Sequence, residues 1–134
     1  MQIVVLFIST SLVFLLADAV MLNLVLQPLF QQHLGAQLLD GFRLIPALLF
    51  YVSYVGGVLW FAAWPALKAG RPGQAALNGA VLGAVAYGCF ELTSMTIMAN
   101  WHPSMVVVDW AWGTVLTGST AWAGVQITCA LIRR

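Results

Sequence analysis

The chain has 134 residues, of which 62% are hydrophobic and only 7% charged, and its formal net charge is +1. Ordinary soluble domains contain about 25% charged residues, so this composition excludes a normal water-exposed surface and makes the lipid bilayer the natural solvent. Nucleic acid is excluded as a partner, because the sequence offers no basic patch to neutralise phosphates. By its length the chain forms one domain, residues 1–134.

Four apolar segments each have about the 20 residues that are needed to cross the hydrocarbon core of a bilayer. They cover about 2–26, 44–67, 75–98 and 104–132. Backbone polar groups in lipid must be satisfied within the segment, so each segment is predicted to be a helix. The predicted fold class is therefore an all-α integral membrane protein with a bundle of four transmembrane helices.

The first segment could be a signal peptide or a helix, and the residues after it have a pattern of their own. It lacks the basic stretch of a signal peptide and its apolar run is too long for one, so it is predicted to be a retained helix. Within 27–42, Leu29, Phe30, Leu34 and Leu38 recur at helical spacing among glutamines. This pattern predicts a short, separate amphipathic element on the periplasmic side, lying in the headgroup layer.

The orientation follows from the basic residues of the short loops. Lys68, Arg71, Arg133 and Arg134 fall on one side of a four-span protein, and Arg43 alone falls on the other. Because cytoplasmic loops carry the excess of lysine and arginine, both termini are predicted to face the cytoplasm.

Several polar residues lie deep within the apolar segments. With a helical rise of about 1.5 Å per residue, Asp18 and Glu91 lie about 10–12 Å below the periplasmic surface. The same rise places Asp109 about 7–8 Å deep, and Tyr51 and Tyr54 about 10–15 Å deep. All four helices thus contribute to one polar layer. We predict an intramembrane cluster of Asp18, Tyr51, Tyr54, Tyr87, Glu91 and Asp109.

Three carboxylates in one cluster cannot all be ionised without a counter-charge, because desolvation and like charges both favour the neutral form. At least one of Asp18 and Glu91 is therefore predicted to be protonated and hydrogen-bonded to a tyrosine. Arg43, at the mouth of helix two, is the nearby basic side chain that could act as a counter-charge, with Asp109 as its shallowest target. The alternative role for the layer is interhelical hydrogen bonding that fixes the register of the helices.

The remaining residues of interest have simpler interpretations. Gly79 and Gly83 form a small-xxx-small pair that permits close helix packing, and Gly88 and Gly113 are further packing residues. The neighbouring small polar side chains, Ser9, Thr10 and Ser11, are expected to bond to carbonyls of their own helix. No metal site is predicted, because no helix carries a histidine at metal-ligand spacing, and His33 and His102 are taken as interface residues.

Three tryptophans lie near the periplasmic boundary. Trp101, Trp110 and Trp112 fit the aromatic belt of a membrane protein, and they could instead line a ligand pocket. No cofactor is predicted, although a bound lipid or pigment would fit such a pocket.

Residues from all four predicted helices resemble those of a known family. They are Asp18, Phe50-Tyr51, Tyr54, Gly56-Gly57, Ala86-Tyr87-Gly88, Glu91-Leu92-Thr93, Trp101 and the run from Asp109 to Gly113. The set is similar to that of DUF2177, a family of small bacterial inner-membrane proteins of unknown function. The resemblance implies a four-span protein of the inner membrane and brings no activity. The chain departs from it in carrying Glu91 where an aspartate is expected, and Ser94 where an asparagine is expected.

Two hypotheses for function follow. The first is a non-catalytic accessory subunit of a larger, energy-converting membrane assembly, since the chain has no soluble domain and a nearly apolar surface. The second is a membrane-embedded enzyme or transporter that uses the carboxylate and tyrosine cluster on a lipid, a quinone-like molecule or an ion. In that case Asp18 or Glu91 would be the proton acceptor. The predicted partners are the lipid bilayer and other membrane-protein subunits.

Overall fold

Four long helices account for most of residues 1–132, the part of the chain that the computed structural model describes. They are α1 (Gln2–Gln37), α2 (Leu44–Ala69), α3 (Pro72–Ile97) and α4 (Pro103–Ile132). Each is long and apolar enough to cross a membrane, which confirms the all-α architecture with four candidate spans. Arg133 and Arg134, which contributed to the predicted orientation, lie outside the described residues.

Helix α1 is longer than the sequence suggested, because it does not end near Leu26. The α-helical turns Gln2–Met21 pass into a π-helical segment, Leu22–Leu26, and then continue as Gln27–Leu34. Pro28 lacks an N–H, and its ring would clash with the carbonyl four residues earlier in a regular helix. The wider π turn accommodates this residue. The predicted separate amphipathic element is therefore the last part of α1.

Helix α2 also has a π-helical segment next to a proline. The π-helical segment Leu59–Ala63 precedes Pro65, and the helix ends at Gly70 in the left-handed conformation (φ 67°). The N–H of Arg71 donates to the carbonyl of Ala66 at 3.0 Å, which closes the helix end. Pro72 then begins α3 directly, since a proline is well tolerated at the first helical position. The turn is thus shorter than the predicted loop.

Helix α4 is the centre of the packing, with its most extensive contact to α3 and the next to α1. Glycines permit the close approach of α3. A Cβ added at Gly79 would lie 2.8 Å from the carbonyl oxygen of Thr117, and one added at Gly83 would overlap the carbonyl oxygen of Gly113. Gly88 lies under the ring of Trp110. The backbones of α3 and α4 are therefore in direct contact.

The two ends of the bundle differ in their packing. We call the end with residues 35–43 and 98–102 the histidine end, and the opposite end, with residues 70–71, the basic end. The apolar core lies toward the basic end and consists of Leu6, Val55, Val58, Leu59, Ala62, Ala63, Ala66, Ala75, Ala121 and Val125. From Leu59 onward α2 packs on α3, whereas Leu44–Val58 makes little contact with it. Polar side chains occupy the region where α2 and α3 diverge.

Candidate functional site

Asp18, on α1, accepts two hydrogen bonds from neighbouring helices. The hydroxyl of Tyr51 on α2 donates to Oδ2 at 2.9 Å, and the indole Nε1 of Trp112 on α4 donates to Oδ1 at 3.2 Å. The side chain is only 7% exposed. Asp18 on α1 therefore links α2 and α4 through these two bonds and helps to fix the register of the three helices.

Glu91, on α3, is fully buried and incompletely hydrogen-bonded. Its exposure is 0%, and its Oε2 accepts a hydrogen bond from Trp101 Nε1 at 2.8 Å. The other oxygen, Oε1, is buried and has no hydrogen-bond partner among residues 1–132. An unpaired buried polar atom costs about 1–3 kcal/mol, and more if the group is charged. Glu91 is thus a candidate for binding something in addition to its protein neighbours.

Asp109, on α4, faces Glu91 across the contact between α3 and α4. The two carboxyl groups lie within hydrogen-bonding reach of each other, and Asp109 is 7% exposed. An ionised carboxylate only accepts hydrogen bonds, so two carboxyl groups can bond only if one of them is protonated. We call Glu91 and Asp109 the acid pair. Its geometry suits a shared proton or a cation held between the two groups.

The three tyrosines form the side of the cluster toward α2. Tyr51 donates to Asp18, as described above, and the Tyr54 hydroxyl lies 2.7 Å from Thr117 Oγ1 on α4. The ring of Tyr87 is edge-on to Tyr54, with 5.9 Å between centroids, and it covers Gly113 so closely that no Cβ would fit there. The rings therefore fill the space between the diverging helices.

The three tryptophans have different roles. Trp101 and Trp112 donate directly to carboxylates of the cluster, and the Trp101 ring is held edge-on between Phe30 and Phe90, at centroid distances of 5.5 and 5.7 Å. Trp110 instead turns toward α3, where its Nε1 donates to the carbonyl of Ala84 at 2.9 Å. Two of the three predicted lining residues thus contact the cluster, and the third joins α3 to α4.

All six predicted cluster residues thus lie within one region between the four helices. A family model described as "Predicted membrane protein (DUF2177)" matches residues 3–126. The chain belongs to this family. The match covers α1, α2 and α3 almost completely and most of α4, which confirms the resemblance that the sequence suggested. Comparison with curated proteins and with solved structures found no match.

Arg43 of this DUF2177 protein does not occupy the predicted position of a counter-charge. It is exposed just before the start of α2. Among the described residues, the hydrogen bonds to the cluster's carboxylates come from Tyr51, Trp101 and Trp112. Phenol and indole donors therefore take the place of the expected guanidinium. A neutral donor satisfies an acceptor oxygen but does not cancel a negative charge.

A histidine contact closes the histidine end of the DUF2177 protein, and the sequence alone did not reveal it. The rings of His33 on α1 and His102 before α4 are stacked, with centroids 4.1 Å apart. Ser104 Oγ lies 3.3 Å from His33 Nε2 and 2.8 Å from His102 Nδ1. The contact depends on the extension of α1 beyond Leu26, which was not expected. Among residues 1–132, no group of three side chains is placed to bind a metal ion.

His102 is also the cap of α4, and this role can be tested. Its Nδ1 accepts the backbone N–H of Ser104 at 3.1 Å, which satisfies one of the free donors at the helix start. His102→Ala is expected to lower the free energy of unfolding by about 1 kcal/mol, the usual effect of losing a cap. Unfolding in mixed micelles with increasing sodium dodecyl sulfate measures it. His102→Asn restores a capping side chain but not the ring that stacks on His33, so it should recover most of the loss. Equal loss in both variants would contradict the capping role.

Proposed function

We propose that this DUF2177 protein binds and releases protons, or a small cation, within the membrane as a transporter, and that the acid pair is its binding group. The observation that carries the proposal is Glu91, whose carboxyl is fully buried, has one oxygen without a partner among residues 1–132, and lies within reach of Asp109. This corresponds to the second of the two hypotheses drawn from the sequence, a membrane-embedded enzyme or transporter. The geometry favours it over the accessory role.

The charge of the site supports a positively charged occupant. Asp18, Glu91 and Asp109 are all at least 93% buried, and the donors that reach their oxygens are neutral. Carboxylates in a medium of low dielectric constant are strongly disfavoured unless a proton or a cation neutralises them. A phosphate-bearing head group would be repelled by the same charges. A proton is the smallest occupant that meets the requirement.

Interhelical bonding alone does not explain the acid pair. Such bonds are worth on average about 0.6 kcal/mol in membranes. Asp18 already joins α1 to α2 and α4, and Trp110 joins α3 to α4. The acid pair can add a further bond between α3 and α4 only when its two carboxyl groups share a proton. Residues that are expensive to bury within a membrane mark ion and proton pathways.

The accessory-subunit hypothesis is the second candidate. It requires a face for a partner helix, and Ser53 and Gly56 are exposed on α2, where a Cβ added at Gly56 would meet no atom within 4 Å. Small residues on an exposed helix face allow close approach of another helix. This hypothesis leaves the acid pair without a role, and for that reason we place it second.

We infer further that the histidine end faces the periplasm of a bacterial inner membrane and that the basic end faces the cytoplasm. Lys68 and Arg71 lie at the basic end, and Arg43 lies at the other. The positive-inside tendency of short loops supports this orientation. The acid pair then lies in the periplasmic half of the membrane.

Infrared difference spectroscopy between low and high pH tests the proposal. The wild-type protein in lipid is expected to show the carbonyl-stretch band of a protonated, buried carboxylic acid. Glu91→Gln should abolish the pH-dependent part of this band, because it removes the group that shares the proton, and Asp109→Asn should shift it. Asp40→Asn, a change at an exposed loop residue, is the matched control and should leave the band unchanged.

Two results would refute the proposed function. One is a titration in which all three buried carboxylates are ionised at neutral pH without a bound cation. The other is a band that responds to pH in Glu91→Gln as it does in the wild type.

A further inference from the structure

A stripe of small and hydroxyl-bearing residues runs along α4 from the acid pair toward the basic end. It consists of the buried residues Asp109, Gly113, Thr117, Thr120, Gly124 and Thr128. At 100° per residue these positions fall within about 100° of the helix circumference. Asp109 and Thr128 are separated by about 28 Å along the axis, close to the roughly 30 Å thickness of the hydrocarbon core. One carboxyl group and three hydroxyl groups therefore recur along one buried face of α4.

Two hydroxyls at this stripe have unused hydrogen-bonding capacity. Thr10 Oγ1 and Thr120 Oγ1 are buried without a hydrogen-bond partner among the described residues, and the two side chains are 0% and 1% exposed. The expectation that Thr10 bonds back to its own helix is therefore wrong. Thr10 instead points at α4, where a Cβ added at Gly124 would overlap its Oγ1. Buried hydroxyls normally find a partner, and these two have none among residues 1–132.

Further hydroxyl groups follow the polar cluster along the stripe toward the basic end. Nearest the acid pair, the Tyr54 hydroxyl lies 2.7 Å from Thr117 Oγ1. Thr120 follows one turn farther along α4, with Thr10 of α1 directed at the next turn. At the far end Thr128 Oγ1 donates to the carbonyl of Gly124 at 2.7 Å. Hydroxyl groups therefore recur along the stripe from the cluster to the basic end.

We propose that this stripe, together with Thr10, is a proton path that connects the acid pair to the basic end, so that the protein moves protons across the membrane. The inference rests on the proposed function of the acid pair. A hydroxyl both accepts and donates, so each group can take a proton from one neighbour and release its own to the next. The path requires water molecules between the hydroxyls that do not touch, in the way that water bridges other buried polar groups. One proton taken up at the acid pair is balanced by one released at the basic end.

Proton flux into lipid vesicles tests the path. The protein is reconstituted with a pH-sensitive dye inside, and a potassium diffusion potential drives the protons. Thr10→Val combined with Thr120→Val is expected to lower the flux at least tenfold, because valine has the shape of threonine without its hydroxyl. Neither hydroxyl has a hydrogen-bond partner among residues 1–132, so the double variant should fold as the wild type does.

Thr114→Val is the matched control. The Thr114 hydroxyl donates to the carbonyl of Trp110 within α4, and the residue lies about 140° around the helix from Asp109, outside the stripe. This variant should conduct protons at the wild-type rate. Circular dichroism and the unfolding profile verify that all variants have the same fold.

The outcomes distinguish failure of the proposed proton path from failure of the proposed binding function of the acid pair. Wild-type flux no higher than that of empty vesicles, or equal flux in the double variant and the wild type, would overturn the path. In either case an infrared band that still depends on Glu91 would leave the proposed binding function intact. Loss of that dependence would instead refute the binding function itself.

Discussion

Replacing Gly83 by alanine is expected to force α3 away from α4 and to lower the free energy of unfolding by about 1–3 kcal/mol, the usual cost of overpacking. The added Cβ would overlap the carbonyl oxygen of Gly113 and lie 2.8 Å from Thr117 Oγ1. Because the first obstacle is backbone, no change of rotamer removes the clash, and the helices themselves must separate. Unfolding in mixed micelles with increasing sodium dodecyl sulfate measures the loss.

The control for this prediction is Gly57→Ala on α2. A Cβ added at Gly57 would meet no atom within 4 Å. Since alanine is more favourable than glycine within a helix by about 0.5–1 kcal/mol, this variant should be as stable as the wild type or slightly more stable. If Gly83→Ala unfolds like Gly57→Ala, the close contact of the two backbones is not present in the membrane. Separation of α3 and α4 should also weaken the infrared signal of the acid pair, because Glu91 and Asp109 lie on these two helices.

The sequence predicted the four helices because length and apolarity alone decide whether a segment can cross a bilayer. It did not predict the extent of α1. The first segment was predicted to end at about Leu26, just before Pro28, although a π-helical turn can absorb a proline when neighbouring helices hold the chain. Leu22–Leu26 has no composition that distinguishes it from α-helix. The contact between His33 and His102 was missed for the same reason.

The composition of the site was more predictable than its bonding. Periodicity placed Glu91 and Tyr87 on one face of α3, and the structure brings this face to Asp109 on α4. Partners depend on the rotation of each helix and on rotamers, which periodicity does not fix. Trp112 lies close to Asp109 in sequence and yet donates to Asp18 on another helix.

Arg43 is predicted as the counter-charge from its positive charge and its place at the mouth of helix two. A guanidinium near the membrane surface remains solvated, and it gains little by moving inward and losing that water. An indole N–H within the apolar region has few other acceptors, so it takes the carboxylate. Trp101 and Trp112 could have been predicted as donors from this difference in available partners.

Asp18 and Glu91 differ in how completely their oxygens are hydrogen-bonded. Asp18 is satisfied by two donors from other helices, whereas Glu91 has an oxygen without a partner among residues 1–132. A structural role fits the first and a binding role fits the second. Asp18 should therefore be sensitive to loss of its acceptor oxygens and tolerant of loss of its charge.

Asp18→Leu is expected to destabilise the bundle by about 1–3 kcal/mol, because it leaves the Tyr51 hydroxyl and the Trp112 indole without an acceptor. Hydrogen bonds to charged groups contribute about 1.5–3 kcal/mol in soluble proteins. Interhelical bonds in membranes average about 0.6 kcal/mol, since the unfolded chain in the bilayer also finds partners. Two bonds, each worth between about 0.6 and about 1.5 kcal/mol, give the expected range. The same micelle unfolding measurement determines the loss.

Two matched variants decide between bonding and charge at Asp18. Asp18→Asn keeps an oxygen for Trp112 and offers an N–H to the Tyr51 hydroxyl, so its stability should approach that of the wild type. The triple variant Asp18→Leu, Tyr51→Phe and Trp112→Phe removes donors and acceptor together, and it should recover most of the loss because no polar group is left unpaired. Equal damage in Asp18→Asn and Asp18→Leu would mean that the negative charge itself is required. Asp18 would then share the binding role of Glu91 and Asp109.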